Sequence, residues 1–301
     1  MYFKYCSQEH LPHISNNIRL GTLSDYRKID DNLRADPQEG MLEVILNFDN
    51  ANVSKEWYAD LLKIGVNKRD VDYLRLGNTG AQYKTSYYVD IDSQSYLISV
   101  QTSEKFSITA SQGGRFSIIG TITIGFQQTD GLIFSMSTAA EVPTFKEGND
   151  SLWSIPQHGM QTFAEYLRDV MQKFHNGFSV PERRLRVPPN FNQLQREAAE
   201  HGNFDMKFLV RHGPVNYLSP FVVIKTEADF NRTHLEDIIE QYPFTKRRRF
   251  AFEREYRISL KETLIFPDGS TRAYPGEFRP MVIGISDLSR FGYSVIYQGV
   301  K

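Results

Sequence analysis

The stretch "KRRRFAFEREYRISL", Lys246 to Leu260, sets two glutamates, Glu253 and Glu255, one residue apart in a run that alternates like a strand. Residues two apart on a strand share a face. Phe250, Phe252, Arg254, Tyr256 and Ile258 then fall on one side, and Ala251, Glu253, Glu255, Arg257 and Ser259 on the other. The first side reads as core with Arg254 discordant. The second puts two carboxylates ~7 Å apart along the strand with a guanidinium next in line. Like charges on one face cost energy unless each finds a partner. Such a pair is either a salt-bridged surface, neutralised by Arg257 and the cations at 246–249, or a chemical site.

The surroundings of this stretch are strands. Upstream lie "FDMKFLVRH" (204–212), "SPFVVIKT" (219–226) and the helical "LEDIIEQYPF" (235–244). Downstream, "LIFPDGSTRAY" (264–274) reads as a hairpin turning at Pro267, Asp268 and Gly269, followed by "MVIGIS" (281–286) and "YSVIYQ" (293–298). The middle of the chain carries "QYKTSYYVDI" (82–91), "SYLISVQT" (95–102), "RFSIIGTITIGF" (115–126) and "GLIFSMS" (131–137), rich in β-branched and aromatic residues. Gly113 and Gly114 read as a hairpin turn, because no lysine or helix start follows to make a phosphate loop. The clearest helix is "MQTFAEYLRDVMQKFH" (160–175), with Phe163, Tyr166, Leu167, Val170, Met171 and Phe174 at helical spacing. "FNQLQREAAEHG" (191–202) reads as another.

At the N-terminus a short strand over residues 1–6 precedes a short helix around "SQEHLPHISNN" (7–17), with Ser7 as its cap. "IRLGTL" (18–23) reads as extended and "DYRKIDDNLRADPQEG" (25–40) as a polar loop. The strand "MLEVILNF" (41–48) and the helix "SKEWYADLLKIG" (54–65) complete the pass. With no repeat and no linker, the expectation is a single α+β domain over 1–301. It has a mixed or antiparallel sheet core, flanking helices, and helical insertions near 157–202.

Composition bounds the function. The 301 residues are 40% hydrophobic and 24% charged, with net charge −1, so no global field recruits nucleic acid or a membrane. The one cysteine, Cys6, excludes an internal disulfide, and the seven histidines show no metal-ligand pair, so no metal site is expected. The opening residues lack the apolar core of a secretory signal and no run reaches membrane-spanning length, which gives a cytosolic expectation.

A carboxylate can stabilise the oxocarbenium-like centre that forms when an N-glycosidic bond breaks, and a second can take a proton from the nucleophile. The E-x-E strand, the serine-bearing "IFSMST" (133–138) and the opening "YFKYCS…IRLGTLSDYR" together resemble the ADP-ribosyltransferases. Within them the chain is similar to mRNA-modifying toxins of toxin–antitoxin–chaperone phage-defence systems. The resemblance covers the first 40 residues, the strand near 133–138 and the strand near 250–258. It implies an enzyme that uses NAD as a substrate and modifies nucleic acid, RNA before DNA, restrained by an antitoxin or chaperone partner. It implies Glu255 as the catalytic glutamate holding the NAD ribose and Glu253 as the group that orients or deprotonates the acceptor. Family members carry an Arg or His on the first strand to grip NAD; here that strand has only Lys4.

Arg19 and Arg27 are the substitutes for phosphate binding, with pairing to Asp25, Asp30, Asp31 or Asp36 as the bland alternative. Gly21 and Tyr26 fall beside the ligand, Tyr26 stacking on a ring, and Ser135 and Ser137 brace the cleft. Two arginine-rich runs, with Arg183 and Arg184 in one and Arg247, Arg248 and Arg249 in the other, are either solvated faces or contacts to a nucleic-acid backbone. Two other classes stay open: a non-enzymatic module binding protein or nucleic acid, and a magnesium nuclease using Glu253, Glu255 and Asp36.

Overall fold

In a computed structural model the described residues are 1–28, 39–63, 83–91, 94–128, 131–146, 149–176, 205–219, 221–230, 233, 237, 244–269, 271–273 and 278–297. In chain order the first strands are β1 (Tyr2–Cys6), β2 (Asn17–Thr22), β3 (Met41–Ser54), β4 (Lys84–Ile91), β5 (Gln94–Thr102), β6 (Ser107–Ser111), β7 (Arg115–Gln128), β8 (Leu132–Ser137) and β9 (Ser151–Ile155). There follow β10 (Asp205–Pro214), β11 (Asn216–Leu218), β12 (Phe221–Ile224), β13 (Thr245–Arg247), β14 (Glu255–Ile265), β15 (Thr271–Ala273), β16 (Met281–Gly284) and β17 (Ser294–Tyr297). Helices are few and sheets mostly antiparallel, an α+β fold as the sequence indicates. No helix among the described residues is long and apolar enough to cross a membrane.

The chain gathers into two compact units: residues 1–39, 129–218 and 244–301 form the first, and 40–128 with 219–243 the second. The second is built on the sheet β12-β3-β7-β5-β4, with β6 also on β7. Alternation in "LEVILNF" drives it: Leu42, Val44, Leu46 and Phe48 are buried while their neighbours are not. They pack with Ile118, Ile122, Ile124 and Phe126 from β7 and with Tyr58 from the helix Lys55–Leu62. Ser54 caps that helix by accepting the Trp57 amide. The glycine pair ends the β6–β7 hairpin with φ of 73° at Gly113 and 72° at Gly114, which a side chain adopts only with strain.

The first unit holds the sheet β10-β14-β8-β1-β9-β17. The helix Gln157–Asn176 buries Met160, Phe163, Leu167 and Met171 with Phe134, Trp153 and Phe291, the face its 3.6-residue period selects. Around residues 7–17 the structure has two short pieces, a 3₁₀ turn Gln8–His10 and a helical turn Pro12–Ser15, because Pro12 starts a helix but cannot continue one. Ser7 makes no cap hydrogen bond there.

The edge of β8 that faces β1 and β2 is split. β1 meets it at Phe3↔Ser137, and β2 meets it at Gly21↔Ile133 and Thr22↔Leu132. Between these pairings the Ser135 carbonyl is satisfied by a side chain: Lys4 Nζ donates to it at 2.8 Å. The other edge of β8 pairs without interruption along β14, from Glu255↔Ser137 to Leu260↔Leu132.

The opening stretch departs most from its sequence reading. Only β13 and β14 are strand. Arg248–Glu253 is a 3₁₀ turn, and Arg254 takes the left-handed conformation at φ 47°, ψ 47°. Glu253 therefore does not share a strand with Glu255, and Phe250 is buried while Phe252 and Arg254 are exposed.

Gly159 in the helix Gln157–Asn176 lies against the Phe291 carbonyl, and a Cβ there would come within 2.4 Å of that oxygen. Gly159→Ala is expected to destabilise the first unit by roughly 1–3 kcal/mol through overpacking. Urea unfolding followed by the buried Trp153, in a Trp57→Phe background, reads that unit, and an unchanged midpoint would refute the close approach.

Candidate active site

Glu255 opens β14 and Glu253 closes the turn before it, yet both carboxylates reach one ammonium. Lys246 Nζ on β13 lies 2.7 Å from Glu253 Oε2 and 3.4 Å from Glu255 Oε2. β13 gets there by parallel pairing with β11, Tyr217↔Lys246, and the Tyr217 hydroxyl accepts the Glu255 amide at 2.7 Å. The left-handed Arg254 folds the chain so that successive acidic side chains turn to the same cation. Its carbonyl accepts from the Thr138 amide at 2.9 Å and from the Thr138 hydroxyl at 3.2 Å.

The second cation is Arg257, two residues along β14 and 0% exposed. Its guanidinium donates to Glu255 Oε1 at 2.9–3.0 Å and forms an ion pair with Glu39. Glu39, expected in a surface turn, is 1% exposed. Ser135 Oγ donates to Glu255 Oε1 at 2.5 Å. Ser137 Oγ instead donates to the Glu253 carbonyl at 2.7 Å and accepts the Ala139 amide, so it holds the turn and does not face Glu255.

The electrostatics make the two glutamates unequal. Burial alone would raise the Glu255 carboxyl, but the charges of Arg257 and Lys246 and the hydrogen bonds from Ser135 and Arg257 hold it well below the ordinary carboxylate range. Glu253 is raised by burial and by Glu255, against the pull of Lys246. Glu39, Glu253 and Glu255 are thus set among the ion pairs of Lys246 and Arg257, and Glu253 is lifted to about 7, where it exchanges a proton near neutrality. Lys246 keeps its proton above its ordinary range: burial opposes its charge, and Glu255, Glu39 and Glu253 overcome that.

Beside this cluster the split in β8 opens a cleft of about 790 Å³, lined among others by Lys4, Arg19, Gly21, Tyr26, Phe134 and Trp153. That volume is within the range of small-molecule sites. Gly21 lets the Tyr26 ring lie close, since a Cβ there would stand 3.1 Å from the ring and would require it to shift by a few tenths of an ångström. The Tyr26 hydroxyl bonds to Ser135, and burial followed by the negative charge of Glu255 raises its pKa. A hydrogen-bonded path thus runs from the cleft through Tyr26 and Ser135 to Glu255, which is itself 7% exposed. Lys4 titrates below the ordinary lysine range because burial outweighs its attraction to Glu255.

Of the residues singled out in sequence, the structure gathers Gly21, Tyr26, Ser135, Glu253 and Glu255. Arg19 lines the cleft and pairs with Asp25 at 3.3 Å, its side chain 68% exposed. Arg27 is turned away, its Nε donating to the Glu39 carbonyl at 2.6 Å. Arg248 and Arg249 are exposed on the turn over Glu253, with the Arg249 guanidinium 4.6 Å and that of Arg247 5.8 Å from the centre of the Phe250 ring. Arg183, Arg184 and Asp36 lie outside the described residues. Among the described residues no group of three or more His, Cys, Asp or Glu is arranged to hold a metal ion.

The sequence reading offered Arg257 and the cations at 246–249 as partners of the glutamates, and the structure pairs them with Arg257 and, of the run, Lys246. Nothing in sequence distinguishes Lys246 from the arginines that follow it, and Tyr217 and Glu39 were missed because they become neighbours only through β11–β13 pairing and the fold around β14. In comparison with known proteins, no family model, no curated protein and no solved structure matches the chain.

Two outcomes follow from this geometry. Arg257→Met leaves Glu39 and Glu255 buried without their shared cation and is expected to cost about 3–5 kcal/mol, measured by denaturant unfolding. Glu253→Gln tests the raised pKa of Glu253. A carboxyl whose pKa is raised on folding stabilises the native state at low pH and loses that contribution as pH rises from 4.5 to about 7. The glutamine variant lacks this loss, so its melting temperature should gain on wild type between pH 5 and pH 8; the reverse trend would mean that the ion pair with Lys246 favours the ionised form.

Proposed function

We propose that this protein is an NAD-dependent ADP-ribosyltransferase that modifies nucleic acid, RNA before DNA, and serves as a bacterial anti-phage toxin held in check by an antitoxin or chaperone. The observation that carries the reading is the convergence of three separated segments. Gly21 on β2, Tyr26 just after it, Ser135 on β8 and Glu255 on β14 meet where the sheet splits, beside a cleft furnished with cations and aromatic rings.

Lys4 and Arg19 supply positive charge for a pyrophosphate, and Tyr26 and Phe134 supply faces for a ring. Glu255, held ionised, is suited to stabilise positive charge on a ribose as the bond from its anomeric carbon to the nicotinamide nitrogen breaks. The nicotinamide leaves with the bonding electrons, the acceptor's nucleophilic atom bonds to the anomeric carbon, and the acceptor's proton passes to Glu253, whose raised pKa fits a group that exchanges a proton near neutrality. The acceptor side is the turn above Glu253, where exposed Arg248, Arg249 and Arg254 flank the half-exposed ring of Phe252. Cations around an accessible aromatic suit a single-stranded nucleic acid.

A second reading, a binding module whose carboxylates are only salt-bridged, is favoured by the burial of both glutamates, 3% and 7% exposed, against Lys246 and Arg257. Labelled NAD, incubated with separate pools of RNA, DNA and protein, separates the two. Label is expected in RNA with wild type, reduced on the order of 10²-fold or more in Glu255→Gln, with circular dichroism showing both folded. EDTA should leave the transfer intact, whereas NAD-independent cleavage abolished by EDTA would point to a nuclease. No label in any pool and no nicotinamide release from folded wild type would overturn the transferase and leave the binding module.

A further inference from the structure

We propose that Lys246 is the positioning residue of the glutamate pair: one ammonium, set by the β11–β13 pairing, ties the Glu253 carboxylate to that of Glu255 and sorts their roles. The inference rests on the transferase reading and adds to it a residue that touches neither NAD nor acceptor. Lys246 is 7% exposed, and its ammonium also stands 4.9 Å from the centre of the Phe250 ring. It is therefore held from three sides, by two carboxylates and a ring face. A solvated basic run has no such requirement; in this run Arg247 is half-buried and Arg248 and Arg249 are exposed.

The contacts are unequal in a way that suits the division of labour. Glu255 has a second cation in Arg257, which it shares with Glu39, and a hydroxyl donor in Ser135, so it stays anionic with only a long contact to Lys246. Glu253 has Lys246 as its near cation at 2.7 Å. The groups that bear on Glu253 are Lys246 from β13, Glu255 from β14, Glu39 from the segment before β3, and the Tyr217 hydroxyl from β11. Of these, Lys246 is the cation in direct contact with it. Removing the ammonium leaves Glu253 beside Glu255 and Glu39, and its protonated form is then favoured to still higher pH.

The test uses Lys246→Met, of similar length and uncharged, beside Lys246→Arg, which keeps the charge on a different head group. In the full-length protein carrying carboxyl-labelled glutamate, the Glu253 resonance is identified by its loss in Glu253→Gln and titrated by carbon NMR. Lys246→Met is expected to move the Glu253 titration to higher pH by one unit or more, and Lys246→Arg to return it most of the way. In the NAD assay the same substitution should lower kcat at least tenfold with KM for NAD changed less than threefold. The pH limb assigned to the base should move in the same direction as the titration.

An unmoved Glu253 titration in a folded Lys246→Met protein overturns the positioning role, as does a moved titration with an unmoved pH limb in an active enzyme. If Lys246→Met does not fold, Lys246→Arg decides, since a titration and pH limb identical to wild type would mean that the site needs only a charge and no fixed ammonium. A moved titration in a protein that never cleaves NAD upholds the electrostatic coupling, overturns its catalytic purpose and rejects the transferase reading itself.

Discussion

Arg257 is a guanidinium with no access to solvent on β14, between β10 and β8, and the site is arranged around neutralising it. A buried cation is tolerated only with partners that replace its hydration. Glu39 and Glu255 provide them, and each becomes a buried charge in turn. Glu255 shares Lys246 with Glu253, so one buried arginine gathers three carboxylates and a lysine from two stretches of chain, Glu39 from one and 246–255 from the other. The β11–β13 pair, too short to be stable alone, makes sense in this light as the device that delivers Lys246 and Tyr217.

The split along β8 is the second constraint. A strand edge leaves carbonyls and amides unpaired, and two partners that meet it at its ends leave the middle to side chains. Lys4 bonds the Ser135 carbonyl from the β1 side, while the Ser135 hydroxyl turns to Glu255. One residue of β8 thus carries cleft and charge cluster at once. The cleft is polar where the sheet is unpaired and aromatic where the core of the first unit begins, at Phe134 and Trp153.

How much of this was legible follows from which signals are local. The helix Gln157–Asn176 and the strands β3 and β7 declare themselves by period, because burial on one face repeats at a fixed interval. β9, "SLWSI", escaped notice: all five residues are buried, so nothing alternates, and at five residues length does not settle its type. The run 246–254 misleads for the opposite reason. Its alternation is real in sequence, but the turn of 3₁₀ helix buries Phe250 and Glu253, three residues apart, and leaves Phe252 outside. Arg254 carries no glycine or asparagine to betray its positive φ. The division into two units leaves no trace either, since junctions at 39–40 and 128–129 have no linker composition. The E-x-E glutamates and Ser135 drew attention because the chemistry names residue types; within 246–249 Lys246 could not be told from its neighbours, because a structural lysine and a solvated one are the same letter until β11 fixes where it points.

Glu253 and Glu255 are both buried glutamates, yet their surroundings treat them oppositely. Glu255 has the guanidinium of Arg257, the hydroxyl of Ser135 and a long contact to Lys246, which together hold it well below the ordinary carboxylate range. Glu253 has as its near cation the ammonium that also contacts Glu255, and burial with the charge of Glu255 raises its pKa to about 7. A buried carboxyl costs free energy when it ionises unless a cation of its own repays its lost hydration, and sharing Lys246 leaves Glu253 the less favoured of the two.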